Sequence, residues 1–155
     1  MSNSQSLAEY PELVFGLVSP IGGNLNALTD NLSQSLQTVD YKTVNVKLTA
    51  EMLQFKADVE KPKSNAYNHL VTHKMDYATK LCQMSNNPST MAMVAIESIT
   101  RNRAKNSGLI DSPAAQTAYV VNQLKRPEEV AYLKRTYGKQ FVLVSAYTAF
   151  EERFK

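Results

Sequence analysis

Residues 13–28 form the segment of this sequence whose residue types and order best suit a chemical role. The apolar run from Leu13 to Val18 has the length and composition of a β-strand, and the sequence Ser-Pro-Ile-Gly-Gly at 19–23 breaks it. Asn24 then occupies the position of a helix N-cap, ahead of leucines at helical spacing. A helix that begins directly after a strand directs free backbone N–H groups and the positive end of its dipole at the turn. The pattern therefore predicts a turn suited to phosphate.

The side chains of this turn match a phosphate-binding loop only in part. When G-x-x-x-x-G-K-[ST] is aligned with its first position on Ser19, its lysine falls on Leu25 and its Ser/Thr on Asn26. The turn therefore lacks the ammonium that reaches the β and γ phosphates, and an asparagine is a poor substitute for a magnesium-bound hydroxyl. A glycine-bearing turn that binds nothing is the alternative interpretation. The candidate phosphate-binding residues here are Ser19, Pro20, Ile21, Gly22, Gly23, Asn24, Leu25 and Asn26.

Positive charge is concentrated in the last third of the chain. The first 100 residues contain seven Lys or Arg and nine Asp or Glu, whereas the rest contains ten and five. The overall charge of +3 is too small to predict nucleic-acid binding, so we expect no direct contact with DNA. Lys125 and Arg126 follow a predicted strand at the edge where ligands of open α/β sheets collect, so they are candidates to bind phosphate in place of the missing lysine. From the sequence alone, solvated turn residues are a slightly better interpretation of this pair. Arg101 and Arg103 lie near the end of a predicted helix. Either they face the same edge of the sheet, or they only interact favourably with the helix terminus.

Histidine and cysteine supply weaker candidates. His69 and His73 stand one helical turn apart, a spacing that can chelate a divalent metal. Because the glutamate of a metalloprotease helix is missing and no third ligand is evident, we favour packed or solvated histidines and expect no metal in this chain. Cys82 is the only cysteine, which excludes an intramolecular disulfide, and its predicted helical, apolar surroundings indicate an inert thiol.

The carboxylates do not form an evident metal site. The acidic residues considered for a metal or base role are Asp76, Asp111, Glu128 and Glu129. The last two follow Pro127 and are explained more simply as residues that complement a helix dipole. A Walker-B magnesium site needs an aspartate at the end of the third strand, where this sequence has Asn122 and Gln123.

The elements that must position these residues alternate along the chain. Strands are predicted at 13–18, 41–49, 118–121 and 140–147, and helices at 24–38, 50–55 with Thr49 as its cap, 67–84, 89–106 and 127–138. The order β-α-β-α-α-α-β-α-β requires crossover connections, so we expect a three-layer α/β fold of P-loop type with a parallel sheet of about four strands wrapped by helices. Each of the two long helices has an apolar side of the kind that faces a core. The residues on these sides are Leu70, Met75, Ala78 and Leu81 in the first helix and Met93, Ala95, Ile96 and Ile99 in the second.

Length and composition predict one globular domain. A chain of 155 residues with 43% apolar residues suits a single core, which we assign to residues 11–155 after a flexible N-terminus at 1–10. The sequence has no apolar run long enough to span a bilayer and no signal peptide at its start, so we expect no membrane association and a cytoplasmic location. The helix-prone residues 150–155 stop as the helix starts, which suggests a fragment of a longer chain.

The C-terminal half carries a resemblance to a known family. Residues 118–153 resemble the end of the N-terminal P-loop domain of the bacterial anti-phage dCTP deaminases, which are deoxycytidylate-deaminase-like proteins. The matching pieces are Gln-Leu-Lys-Arg-Pro-Glu-Glu at 123–129, Leu-Lys-Arg-x-Tyr-Gly at 133–138 and Glu-x-Arg at 151–153, and the segments 13–28 and 75–103 are also similar to the family pattern. The match to the last piece adds Arg153 to the candidate phosphate-binding residues.

This resemblance implies a nucleotide-kinase-type domain joined to a zinc deaminase domain that destroys dCTP or dCMP during infection. The deaminase needs a His-x-Glu segment and a Pro-Cys-x-x-Cys segment, and neither occurs in this sequence. We therefore expect no deaminase activity in this chain alone, and zinc only in an attached or associated deaminase domain.

Three functions follow from these observations. The leading hypothesis is a nucleotide-binding, regulatory P-loop-like domain without catalysis, which binds a deoxynucleotide or other nucleotide through its phosphates and is part of a homo-oligomer. One alternative is a nucleoside or nucleotide kinase with a degenerate loop. The other is an oligomerisation or interaction module without a ligand.

Overall fold

We analysed a computed structural model of the chain, which describes residues 10–20, 22–147 and 149. Ile21 of the predicted turn, Arg153 and the segment 150–155 lie outside the described residues, as does nearly all of the expected flexible N-terminus.

The described elements follow the predicted order. The strands are β1 (Leu13–Val18), β2 (Lys42–Lys47), β3 (Thr117–Asn122) and β4 (Phe141–Ser145). The α-helices are α1 (Leu25–Gln37), α2 (Leu48–Glu51), α3 (Tyr67–Met84), α4 (Thr90–Ser107) and α5 (Pro127–Tyr137), with 3-10 turns at Met52–Gln54 and Gly138–Gln140. The predicted α/β class is confirmed.

All four described strands are parallel and lie in the order β2-β3-β1-β4. In the register, Leu17 of β1 lies beside Asn122 of β3, and Val18 lies beside Ser145 of β4. The strands therefore end together, so the segments that follow them meet at one edge of the sheet, which we call the carboxyl edge. The opposite edge is called the amino edge.

The sheet is covered on both faces, which gives three layers. Alternate residues of each strand point to opposite faces. One face meets α1, where Leu36 packs in a cluster with Phe15 and Ala118. The other face packs against α3, α4 and α5, in a larger cluster that includes Val14, Tyr119 and many apolar helix residues. The connection from β1 to β2 through α1 thus crosses one face. The connections from β2 to β3 and from β3 to β4 run in the opposite direction and cross the other face, as right-handed crossovers require.

Three local predictions were wrong. The second helix begins at Leu48 with Lys47 at its cap position, so Thr49 is a helix residue and not a cap. Met75 and Met93 are 54% and 44% exposed, although their spacing placed them on apolar helix sides. A helical period identifies a face, but it cannot tell whether a neighbouring element covers the whole of that face.

Strand β3 is buried along its full length. Strand β4 is equally apolar but lies at the sheet border, and its Val142 and Leu143 are 40% and 47% exposed. Within the described residues, no helix combines the length and apolar character that crossing a bilayer requires.

Candidate functional site

The turn between β1 and α1 has the geometry that its sequence predicted. Gly22 has φ +83°, a conformation that side chains rarely adopt, which explains a glycine at this position. Asn24 is the N-cap of α1, and its side-chain oxygen accepts the amide N–H of Ala27 at 3.0 Å. The predicted cap is therefore confirmed, and α1 begins with a fixed orientation at the carboxyl edge.

Backbone amides of this turn fall into two groups. The N–H of Gly23 donates to Pro20 at 3.1 Å, and that of Leu25 donates to Gly23 at 2.9 Å, so these donors are used inside the turn. Within the described part of the chain, the N–H groups of Gly22, Asn24 and Asn26 have no acceptor, and all three residues are exposed. Amides at a helix N-terminus with no acceptor are the usual ligands of an anion. The turn thus retains donors for a phosphate.

The loop between β3 and α5, residues 123–126, is held by a buried carboxylate. Glu129 is 2% exposed, and one of its oxygens accepts the N–H of Lys125 at 2.8 Å and that of Arg126 at 3.2 Å. Burial raises the pKa of Glu129, and these two hydrogen bonds oppose the shift. Because α5 begins at Pro127, the prediction that Glu129 belongs to a helix start is confirmed. Its carboxylate holds the loop and is not aimed at solvent.

The same loop brings a cation to the β1–α1 turn. The ammonium of Lys125 donates to the backbone carbonyl of Ser19 at 2.9 Å. Partial desolvation lowers the pKa of Lys125, while the negative charge of Glu129 acts in the opposite direction. Lys125 remains exposed, whereas Ser19 is buried. An ammonium that meets a neutral carbonyl and is open to solvent can also contact an anionic ligand.

The position of this contact in the sheet is informative. Strand β1 sends its helix α1 to one face, and the neighbouring strand β3 sends α5 to the other. The helices therefore diverge at the carboxyl edge and leave a crevice between the ends of β1 and β3. Open α/β sheets bind their ligands at such a switch point. The structure thus brings together the β1–α1 turn and the loop with Lys125 and Arg126, which the sequence predicted as separate candidates.

The end of β3 carries amides in place of a magnesium ligand. Asn122 is buried, its side-chain oxygen accepts the hydroxyl of Thr29 at 3.2 Å, and its amide nitrogen donates to Asn45. This network joins β2, β3 and the first turns of α1, and it leaves no carboxylate at the strand end. The sequence pattern places Asn122 at this strand end but does not identify Thr29 or Asn45, because no local pattern links residues that are far apart along the chain.

A shallow pocket adjoins the crevice on the face covered by α5. Its volume is about 200 Å³, and it is lined by Val18, Leu124, Lys125, Arg126, Pro127 and Val130. The lining is apolar apart from the two basic residues. The arrangement therefore offers donors and positive charge for phosphate beside an apolar surface for the rest of a ligand.

The two arginines of α4 do not contribute to the crevice, which corrects one of the two possibilities raised above. Arg101 pairs with Glu51 and Glu97, each at 2.8 Å. Arg103 forms a two-pronged pair with Glu12, which directly precedes β1 and so lies at the amino edge. Hydrogen bonding to Glu12 raises the pKa of Arg103. Both guanidiniums bind carboxylates of the chain itself.

The histidines have hydrogen-bond partners, and the cysteine is buried. His69 contacts the hydroxyl of Ser64 at 2.7 Å, and His73 contacts the carbonyl of Glu60 at 2.9 Å. Cys82 is buried in the larger core cluster, as predicted. Within the part of the chain that the structure describes, no group of three His, Cys, Asp or Glu is placed to hold a metal ion.

The acidic candidates are separated in the fold. Asp76 lines a surface pocket of about 290 Å³ on α3 together with Asp58, Val59, Thr79, Lys80 and Gln83. Asp111 is exposed in the loop after α4, and Glu128 is exposed at the start of α5. Among the described residues, the side chains of Asp76, Asp111 and Glu128 form no hydrogen bond or ion pair with the residues of the crevice.

Comparison with known proteins adds no assignment: no protein-family model matches the chain, and no curated protein matches it.

Proposed function

We propose that this chain is a nucleotide-binding, regulatory domain that binds the phosphates of its ligand at the carboxyl edge and does not transfer them. The observation that carries the proposal is the 2.9 Å contact between the Lys125 ammonium and the Ser19 carbonyl, which sets a cation against the β1–α1 turn. The exposed N–H groups of Gly22, Asn24 and Asn26 supply further donors. In this proposal Lys125 takes the place of the lysine that the turn lacks.

The side chains of the crevice support the proposal that the chain does not transfer phosphoryl groups. Asn122 stands at the end of β3 where a carboxylate would hold magnesium, and its amide is occupied by Thr29 and Asn45. Leu25 and Asn26 replace the lysine and the hydroxyl of an active loop. Binding by backbone amides and one lysine suits recognition, whereas phosphoryl transfer also needs charge stabilisation by a metal ion.

The resemblance of residues 118–153 extends this proposal to a biological setting. The chain would bind a deoxycytidine nucleotide such as dCTP or dCMP and transmit that binding to an attached or associated deaminase of an anti-phage system. Its ligand would be a nucleotide or deoxynucleotide, and zinc would belong to the deaminase domain. The proposed phosphate-binding residues are Ser19, Pro20, Ile21, Gly22, Gly23, Asn24, Leu25, Asn26, Lys125, Arg126 and Arg153.

Calorimetry with dCTP, dCMP, ATP and GTP tests the proposal. Wild-type protein is expected to bind at least one of them, and Lys125→Gln is expected to weaken that binding about ten- to a hundredfold, because a charge-assisted hydrogen bond is worth about 1.5–3 kcal/mol. Lys134→Gln is the matched control, since Lys134 is an exposed lysine in the last turn of α5, far from the helix start. It should bind as wild type does.

Two results would overturn the proposal. One is the absence of binding heat and of a thermal shift with all four nucleotides at millimolar concentration. The other is phosphoryl transfer from labelled ATP that is lost in Gly22→Arg, which would establish the kinase alternative.

One observation favours the interaction module as a second candidate. Strand β4 exposes Val142 and Leu143, and Tyr147 just beyond it is 86% exposed. Apolar residues on a border strand are typical of surfaces that pair with another strand or chain. This candidate predicts a mass that rises with protein concentration in analytical ultracentrifugation and a melting temperature that no nucleotide changes.

A further inference from the structure

Two glutamines flank β3 in the same unusual backbone conformation. Gln116 directly precedes the strand with φ +53°, and Gln123 directly follows it with φ +72°. Positive φ is uncommon for residues other than glycine, and of the other types asparagine and aspartate adopt it most readily. The two residues share type and conformation but lie at opposite edges of the sheet.

The backbone of Gln116 accounts for its own conformation. Its N–H donates to Tyr10 at 3.1 Å, and its carbonyl accepts the N–H of Lys42 at 2.8 Å. Both hydrogen bonds join segments at the amino edge and fix the start of β3. A side chain with a particular chemistry is not needed for either bond.

The conformation of Gln123 positions the next residue, Leu124, against β1. The N–H of Leu124 donates to Leu17 at 3.1 Å, so the chain returns to β1 immediately after turning out at Gln123. The Leu124 side chain is fully buried and lies over Gly16, where an added Cβ would come within 2.7 Å of it. The fold therefore requires a left-handed residue at 123.

Nothing in that requirement selects glutamine. Glycine or asparagine would adopt the conformation at lower cost, and packing does not select a residue that is exposed. Among the described residues, neither the side chain nor the backbone of Gln123 makes a hydrogen bond. An uncommon conformation held by an unpartnered polar residue is typical of functional sites.

We propose that Gln123 is a specificity-determining residue that hydrogen-bonds the sugar or the base of a nucleotide whose phosphates lie at the β1–α1 turn. This inference rests on the proposed function. A carboxamide has two donors and an acceptor, so it matches the hydroxyls of a sugar or the amide edge of a base. Lys125 and the free amides of the turn already provide donors for phosphate, and an ionised phosphate only accepts hydrogen bonds. Gln123 is two residues from Lys125, on the same loop.

The test separates the phosphates from the nucleoside. Calorimetry on the full chain compares dCTP and ATP with tripolyphosphate, which carries the charge of the tail without a sugar or base. Gln123→Gly is expected to weaken nucleotide binding about five- to tenfold, the effect of one lost hydrogen bond, and to leave tripolyphosphate binding unchanged. Lys125→Gln should weaken binding of both.

Gln116→Gly is the matched control for the backbone. Both glycine variants relieve the same conformation, so their melting temperatures should agree with each other within about 4 °C. Gln116→Gly should bind nucleotides and tripolyphosphate as wild type does. The inference is overturned if Gln123→Gly binds nucleotides as tightly as wild type or loses both ligands equally. If wild type binds neither nucleotides nor tripolyphosphate, the proposed function fails and the inference fails with it.

Discussion

At the amino edge of the sheet the guanidinium of Arg103 meets the carboxylate of Glu12, whereas at the carboxyl edge the ammonium of Lys125 meets the backbone carbonyl of Ser19. The Glu12 side chain is 1% exposed and that of Arg103 is 15% exposed, while Lys125 is exposed to solvent. Each edge therefore holds a cation and a buried carboxylate, but only at the amino edge do the two form an ion pair; at the carboxyl edge the Glu129 carboxylate accepts backbone N–H groups and the Lys125 ammonium meets a carbonyl.

The amino edge is shielded from solvent, since Glu12 and Tyr119 are buried there. Burial raises the pKa of Tyr137 to about 12, and burial also raises that of Tyr119, with the negative charge of Glu12 adding to both shifts. Glu12 also accepts the N–H of Ala114 at 2.8 Å, so its carboxylate holds the loop ahead of β3. Charges arranged in this way tie α4 to the start of β1 and are closed to ligands.

The contrast teaches how a fold separates structural charges from charges that can bind. A buried pair with its hydrogen bonds satisfied resists any change of partner, because each charge left alone would lack both water and a counterion. A partly solvated cation beside a neutral acceptor and free amides can exchange partners at little cost.

The largest effect is expected from Arg103→Met. The substitution leaves the Glu12 carboxylate buried without its cation, which typically lowers the free energy of unfolding by about 3–5 kcal/mol. Urea-induced unfolding followed by circular dichroism measures this loss. Arg101→Met is the control on the same helix, where the side chain is 32% exposed and its carboxylate partners are also accessible. That variant should lose about 1 kcal/mol or less. Equal losses of unfolding free energy in the two variants would contradict the expectation that the buried ion pair contributes more to stability than the exposed ones.

An intermediate effect is expected from Gly16→Ala in β1. The added Cβ would lie 2.7 Å from Leu124 Cδ1 and 2.8 Å from Phe141 Cζ, so the neighbours must shift. Overpacking of this kind typically lowers the free energy of unfolding by about 1–3 kcal/mol. Chemical denaturation provides the measurement. The double variant with Leu124→Val removes the nearest atom and should recover part of the loss. Wild-type stability in Gly16→Ala would contradict the close packing beneath the carboxyl edge.

The smallest effect concerns the pH dependence of the loop at the carboxyl edge. The pKa of Glu129 is raised above its ordinary value of 4.5, so the folded protein holds this proton more tightly than the unfolded chain. The stability that this group contributes is complete below the ordinary pKa and is lost as pH rises through the folded pKa. Glu129→Gln keeps an oxygen for the N–H groups of Lys125 and Arg126 but cannot ionise.

Thermal unfolding of both proteins from pH 3 to pH 8 tests this expectation. The melting temperature of wild type should fall relative to that of Glu129→Gln as pH rises from about 4, by a few degrees at most. A constant difference between the two proteins across this range would contradict a raised pKa for Glu129.

Local sequence patterns predicted the elements well where chemistry is local. The proline and paired glutamates at 127–129 predicted the start of α5, and Asn24 predicted the cap of α1. The parallel sheet followed from the alternation of strands and helices, because parallel strands require crossovers. Prediction failed at Met75 and Met93, whose exposure depends on which neighbouring helix covers them.

Pairing across the fold could not be predicted. Glu12 lies 91 residues from its partner Arg103 along the chain. The two partners of Asn122, Thr29 and Asn45, lie 93 and 77 residues from it. Glu12 and Arg103 carry no shared motif, and Asn122 resembles an ordinary strand end. Such contacts depend on strand order and on the packing of helices, which a single sequence does not encode in any local pattern.

The sequence by itself determined the strand–turn–helix unit at residues 13–28, the basic pair at 125–126 and the lack of a lysine in the turn, since each depends on neighbouring residues alone. Only the tertiary structure decided that these two segments meet. Placing β3 beside β1, with α1 and α5 on opposite faces, brings the Lys125 ammonium to the Ser19 carbonyl and directs Arg103 to a carboxylate at the other edge. The physical reason is that a cation is available to a ligand only where the packing leaves it exposed and not in an ion pair with a buried carboxylate.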